Sequence, residues 1–285
     1  MDKFFIQTIN GLAYGMIYAL IASGVTLMWG IMDFINMAHG ELYMLGAYAA
    51  WLCTLHVFNN FWVALLVGVA AITLMGAGIR YAVLPVLGKN PLYSLLATYG
   101  LGLALQQAIL AIFGPFSKDL KTPVDYKLFF FGFEYSAYRI LIIVISLVVI
   151  GGSWLFMKKS KYGIWIRAVA QDKEMASCMG LPIPFIYTLI FCLGAAMAAL
   201  GGIVAAPLFG VHPTMGTEVI LTAFIIVMIG GLGNFLGSIV AAILIGEAIA
   251  MGSLWLAPTQ AYVLALMILL LVLLIRPEGL AKGLR

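Results

Sequence analysis

Charge is scarce in this chain. Only 9% of its 285 residues are Asp, Glu, Lys or Arg, against about 25% in a soluble domain, and 64% are hydrophobic. That shortage excludes an ordinary soluble domain. A β-barrel is excluded too, because the apolar runs are continuous where barrel strands alternate. Cysteine is equally sparse: Cys53, Cys178 and Cys192 show neither metal-ligand nor disulfide spacing. His39, His56 and His212 are far apart and lack partners at ligand spacing. No G-x-x-x-x-G-K-[ST] string occurs, so the chain has no phosphate loop for ATP. It shows no nucleophile, base or metal set, which ranks a membrane enzyme last. The net charge of +4 reflects loops held on the cytoplasmic side and says nothing of nucleic acid.

What is present is hydrocarbon in long stretches. Crossing a bilayer takes about 20 apolar residues, and nine runs come near that length or re-enter: 4–32, 42–58, 61–79, 90–114, 140–157, 183–209, 219–229, 235–254 and 261–275. The second run is expected to be helical from near Asn36. The fold expected is therefore all-α and polytopic, with about eight or nine transmembrane or re-entrant helices. The first run is too long for a signal-peptide core and reads as a retained span. Basic residues then orient the chain. Arg80 and Lys89, the segment 158–182, and Arg276, Lys282 and Arg285 mark cytoplasmic parts, the C-terminus among them. The mixed-charge loop 116–139 falls outside. The N-terminus is external if 36–58 spans and cytoplasmic if it re-enters, and the residues leave both open.

Two kinds of polar interruption stand out. Residues 158–182 hold Lys158, Lys159, Lys161, Arg167 and Lys173 and read as one short amphipathic helix. Trp165, Ala168, Val169, Met175, Ala176 and Met179 form one stripe, with Arg167, Gln171 and Glu174 on another face. Gly180 stops it, and Pro182 opens the next helix. A terminated cytosolic helix between spans is expected to dock on a partner; the simpler alternative is a basic loop that only sets topology. The other interruptions are helix breaks, INMAHGE in the first half and IGGLGN in the second. Breaks in corresponding positions of two halves point to a translocation pathway. The tentative pathway set is Asn36, His39, Gly40, Glu41, Gly230, Gly231, Gly233, Asn234 and Glu247. For Asn36 the plainer alternative is a helix cap, and capping is the role expected of Glu218. Gly11 with Gly15, and Gly233 with Gly237, read as close helix packing. The whole divides into a first half 1–157, the cytoplasmic segment 158–182 and a second half 183–285 of a single transmembrane domain.

These strings also carry a resemblance. GLAYGMIYALIASGVTLMWGIMDFINMAHGELYMLGAYAA, residues 11–50, is similar to the opening of branched-chain amino acid ABC transporter permeases of the high-affinity LIV-I type, the first permease of the pair. Its most specific part is N-x-A-H-G-x-x-x-x-L-G-A-Y, from Asn36 to Tyr48. GIWIRAVAQDKEMASCMGL, residues 163–181, resembles the family's cytoplasmic loop, and GGLGNFLGSIVAA, residues 230–242, its second Gly-rich stretch. Leu181 after Gly180 departs from the commoner Ile. The resemblance implies a multi-pass subunit of a bacterial inner-membrane importer for branched-chain or related amino acids. It implies a second homologous permease, two cytosolic ATPases that hold ATP-Mg, an external binding protein, and no cofactor on this chain. It also implies that Gly163, Arg167, Ala168, Asp172, Ala176 and Gly180 form the helix that couples to an ATPase. Relatives carry other amino acids, amides or urea. The competing function is a stand-alone channel or ion-coupled carrier for a small polar solute such as urea or an amide.

Overall fold

The structure, a computed structural model, describes residues 2–57, 60–83, 91–130, 133–257 and 260–263, with 267, 271, 272, 274, 276 and 279. It is helical apart from one small hairpin. The helices are α1 (Asp2–Met32), α2 (His39–Leu52), α3 (Phe61–Val83), α4 (Pro91–Phe113), α5 (Ala137–Lys159), α6 (Lys161–Gln171), α7 (Lys173–Cys178), α8 (Ile183–Phe209), α9 (Met215–Gly230) and α10 (Phe235–Gly252). Among the described residues six are long and apolar enough to cross a membrane, namely α1, α3, α4, α5, α8 and α10. The ninth run, 261–275, falls largely outside the described residues, as do Lys89, Lys282 and Arg285.

The loop after α4 holds an element that the sequence reading lacked. Strands β1 (Lys127–Phe130) and β2 (Phe133–Ser136) pair antiparallel. This hairpin marks one end of the bundle, and the α5–α8 link, with its five basic residues, marks the other. At the hairpin end Tyr135 donates a hydrogen bond to Asn10 Oδ1 at 2.9 Å, and Arg139 donates to the same oxygen. Burial pushes the Tyr135 hydroxyl up to about 12. These bonds place the start of α1 at the hairpin end. The ring of Phe61 lies 6.4 Å from that of Tyr138, so α3 starts there as well. Since α1 runs away from that end, residues 33–57 must return to it. The stretch whose path was open therefore spans, and the N-terminus lies at the hairpin end.

The two halves interlock with inverted direction. Helix α1 lies antiparallel to α8: Tyr14 stacks on Phe209 at 5.5 Å, Ile21 meets Gly201, and Gly24 faces Gly194. Each of these long helices then carries the third helix of the other half. α10 packs antiparallel on α1, where Gly246 meets Gly15 and Gly233 meets Gly30, and α3 packs antiparallel on α8, where Gly76 meets Ala195 and Gly68 meets Ile203. Small residues let these backbones approach, which is how apolar helices choose neighbours in a solvent as apolar as themselves. The Gly11–Gly15 pair does form such a seam, against Glu247 and Ile243. The Gly233–Gly237 pair also packs closely but not as one helix seam: Gly233, in the turn before α10 at φ +78, meets Gly30 of α1, and Gly237 meets Gly230 of α9.

The short helices α2 and α9 complete the pattern. Asp33 at φ 47 ends α1, and the chain turns back into the bundle before α2 begins at His39, against Gly24 and Gly194 near the middle of α8. From there α2 climbs to the hairpin end, where Tyr48 and Trp51 pack on Phe113. In the second half residues 210–214 descend from the end of α8, and α9 starts beside Gly40. It then runs the opposite way, with Phe224 against Trp29. The break matching 33–38 is thus 210–214, not the GGLGN turn expected from sequence, which follows α9.

Candidate functional site

The N-termini of α2 and α9 meet near mid-depth. A methyl group at Gly40 would lie 2.2 Å from the Gly216 carbonyl oxygen, and one at Gly216 would lie 2.7 Å from that of Gly40, so only glycine allows the crossing. Around it are the polar residues of the first break. His39 is 0% and Glu41 4% exposed, and Asn36 is buried beside them. Glu41 Oε1 accepts from Thr217 Oγ1 at 3.3 Å, which ties α2 to the first turn of α9. Among the described residues Glu41 Oε2 and Asn36 Oδ1 are buried with no hydrogen-bond partner, and the buried His39 ring has the Ile21 backbone as a polar neighbour. Asn36 is not the cap of α2: that position is Ala38, with no side-chain bond, while the Asn36 amide donates to Met28 Sδ at 3.5 Å. The turn at 37–38 carries the chain past Asn36 before helical backbone starts. Thr98 of α4 holds that turn, accepting from the Met37 amide at 3.0 Å.

The other expected pathway residues do not join this cluster. Asn234 caps α10 by accepting from the Gly237 amide at 2.9 Å. Gly230 packs on Gly237 and Ser238, and Gly231 and Gly233 take positive φ in the turn between α9 and α10. Glu247 lies on α10 against Gly11 of α1. Glu218 is not a cap either. Thr214 holds the N-cap position of α9, and its hydroxyl donates to Glu218 Oε1 at 3.0 Å.

A cavity of about 520 Å³ opens on the hairpin side of the half-helix junction. Tyr14, Tyr18, Tyr43 and Tyr262 give it aromatic walls, and His212, Glu218 and Thr222 give it polar groups. Ile17, Phe209, Met215, Val219 and Leu221 complete the lining. Glu218 Oε2 is 3.5 Å from His212 Nε2, and Thr222 Oγ1 is 3.0 Å from the Tyr262 hydroxyl. The sequence reading missed the tyrosines. The available signal was the spacing of Tyr14 and Tyr18, four residues apart on one face of an otherwise apolar helix.

At the basic end the expected single helix is two. Asp172 takes extended backbone (φ −153) and ends α6. Its carboxylate then caps α7, accepting from the Met175 amide at 2.8 Å, because Asp starts a helix better than it continues one. Ser160 caps α6 in the same way through the Gly163 amide. Gly180 at φ +77 closes α7, with the Leu181 amide bonded back to Ala176. The stripes divide differently from the expected pattern. Gly163, Ile166, Val169 and Ala176 face inward, whereas Met175 is 60% and Met179 77% exposed. Arg167 is half-buried and donates to the Met157 carbonyl at the end of α5, so it joins two helices of this chain.

Inverted repeats, half-helices meeting at mid-depth, a cavity above them and a projecting helix pair at the basic end define a multi-pass transport protein. The chain belongs to the branched-chain amino acid transport system / permease component family, whose pattern it matches over residues 7–275. It is 32% identical to the high-affinity branched-chain amino acid transport system permease protein BraD of Pseudomonas aeruginosa, over 96% of this chain and 94% of that one. With the corresponding permease protein LivH of Escherichia coli K12 it shares 30% identity over the same fractions of each chain. The solved structure of PsaBC from Streptococcus pneumoniae in complex with Fab has a similar fold, with TM-score 0.52 at 13% identity, covering 94% of this chain and 91% of that one. The protein is a permease component, and its relatives are transport permeases rather than enzymes.

Proposed function

We propose that this chain is the membrane subunit of an ATP-driven importer for branched-chain or related amino acids in a bacterial inner membrane. A second homologous permease covers part of its surface, and two cytosolic ATPases carrying ATP-Mg dock at the basic end, which is cytoplasmic together with the C-terminus. An external binding protein delivers substrate at the hairpin end. The observation that carries this reading is the α6–α7 pair. It is capped at each helix start and tied to α5 by Arg167, and it presents Met175 and Met179 outward at the end of the chain richest in Lys. A stand-alone carrier has no use for such a platform. In this reading Gly163, Arg167, Ala168, Asp172, Ala176 and Gly180 shape the platform, and the methionines meet the partner. Asn36, His39, Gly40 and Glu41 form the mid-depth constriction. Gly230, Gly231, Gly233 and Asn234 form the hinge between α9 and α10, and Glu247 a fixed contact between α10 and α1.

Reconstitution tests the reading. The purified chain alone in vesicles is expected to accumulate no amino acid against a gradient. Adding the ATPases, the second permease and the binding protein is expected to yield ATP-dependent leucine uptake. Gradient-driven accumulation by the chain alone, abolished by an ionophore and indifferent to ATP, would establish the carrier instead.

A further inference from the structure

The cavity above α9 has a chemistry of its own. Its volume of about 520 Å³ lies within the range of about 300–1,000 Å³ typical of small-molecule sites. Its lining has two characters. Ile17, Val219 and Leu221 offer a hydrocarbon surface, while Tyr14, Tyr18 and Tyr43 surround the space with aromatic rings. One carboxylate enters it, that of Glu218, whose side chain is 65% exposed. Its oxygens are held by Thr214 at 3.0 Å and lie near His212 at 3.5 Å, and among the described residues it forms no ion pair with a Lys or Arg. A carboxylate in the wall repels an anionic ligand and attracts a cationic group. Aromatic faces do the same, since their quadrupole favours an ammonium ion. A free hydroxylated solute would leave the aliphatic wall without a partner. The combination selects a ligand with an ammonium group at one end and an aliphatic chain at the other.

We propose that this cavity is a resting site for an aliphatic amino acid inside the permease. Glu218 binds the α-ammonium group, the N-terminus of α9 at Met215, which no side chain caps, faces the α-carboxylate, Tyr14, Tyr18 and Tyr43 enclose both, and Ile17, Val219 and Leu221 receive the side chain. The site rests on the importer reading for its choice of substrate. Its position fits that reading: it opens toward the hairpin end, and its floor is the first turns of α9, the half-helix that runs on from mid-depth to the basic end.

The test separates the site from the importer reading. The complex of both permeases and the ATPases, in nanodiscs without the external binding protein, is titrated with radiolabelled L-leucine and with 4-methylpentanoate, which keeps the skeleton and lacks the amine. Wild type is expected to bind leucine saturably and 4-methylpentanoate at least about tenfold more weakly, the effect of losing one charge-assisted hydrogen bond. Glu218→Gln, which can still accept from Thr214, is expected to lose about tenfold for leucine. Leu221→Trp, which fills the cavity and leaves the carboxylate, is expected to lose binding as well, while Glu134→Gln in β2 changes nothing. The absence of saturable leucine binding, equal binding of the two probes by wild type, or wild-type leucine affinity in Glu218→Gln overturns the site. ATP-driven leucine uptake by the complete system alongside any of those results leaves the importer reading standing. Glu218-dependent binding without such uptake keeps the site and removes the importer reading.

Discussion

Single residues decide this structure where backbones touch. At the half-helix junction a side chain on Gly216 would strike the Gly40 carbonyl, and neither helix can retreat because both are packed on α8 or α1. Overpacking of a close contact costs about 1–3 kcal/mol. Gly216→Val is therefore expected to lower the melting temperature and the monodisperse yield in detergent. Gly151→Val on α5, where an added Cβ meets nothing within 4 Å, is expected to leave both unchanged. Arg167 illustrates how a contact changes the meaning of a charge. As sequence it reads as one member of a docking face; in the fold its guanidinium holds the Met157 carbonyl in the last turn of α5. A hydrogen bond from a charged group is worth about 1.5–3 kcal/mol. Arg167→Ala is expected to lower thermal stability by an amount in that range, with the protein still inserted, and unfolding curves of purified wild type and variant would show it. Unchanged stability would mean that the guanidinium serves a partner and not the α5–α6 joint.

Among the elements, the α6–α7 pair separates what faces inward from what faces out. The sequence stripe placed Val169, Met175, Ala176 and Met179 together, but the break at Asp172 rotates α7 relative to α6. Val169 and Ala176 turn to the bundle, and the two methionines turn to solvent. Exposed methionines suit a surface that must adapt to a partner. Met175→Asp combined with Met179→Asp is expected to abolish co-purification of the ATPases while the chain remains inserted at normal abundance, as read by affinity capture in mild detergent. Retention of the ATPases at the wild-type level would place the dock elsewhere. The half-helices α2 and α9 form the second informative element. Their N-terminal amides converge where Glu41 and Thr217 meet, and the carboxylate of one half lies against the positive end of the helix from the other.

For the molecule as a whole, inverted direction is the organising fact. The two long helices α1 and α8 run antiparallel, and each carries the third helix of the opposite half, so neither half is a separate body. The sidedness that follows is directly measurable. In a variant whose only cysteine is Cys178, a membrane-impermeant thiol reagent is expected to label inside-out vesicles and to spare intact cells. A cysteine placed at Asp125, in the loop that carries the hairpin, is expected to show the reverse. Labelling of Cys178 in intact cells would invert the proposed orientation, and with it the entry side of the cavity.

Much of this was legible in the residues. The span pattern, the all-α class, the break after residue 32, the stop at Gly180 and the start at Pro182 all depend on local chemistry: apolar length, backbone preference and caps. Asp172 carried its signal too, as an Asp three residues before an amide it could cap, but the amphipathic stripe on both sides of it hid the break. The pairing of α1 with α10 and of α8 with α3 was not legible, nor were the depth of α2 and α9 and the gathering of Tyr14, Tyr18, Tyr43 and Glu218 around one cavity. The reason is physical. In a bilayer, lipid and neighbouring helix are equally apolar, so hydrophobic pattern says that a helix is buried in hydrocarbon but not which helix lies beside it. That choice is made by the fit of small residues across seams distant in sequence, and it is settled only when the whole bundle closes.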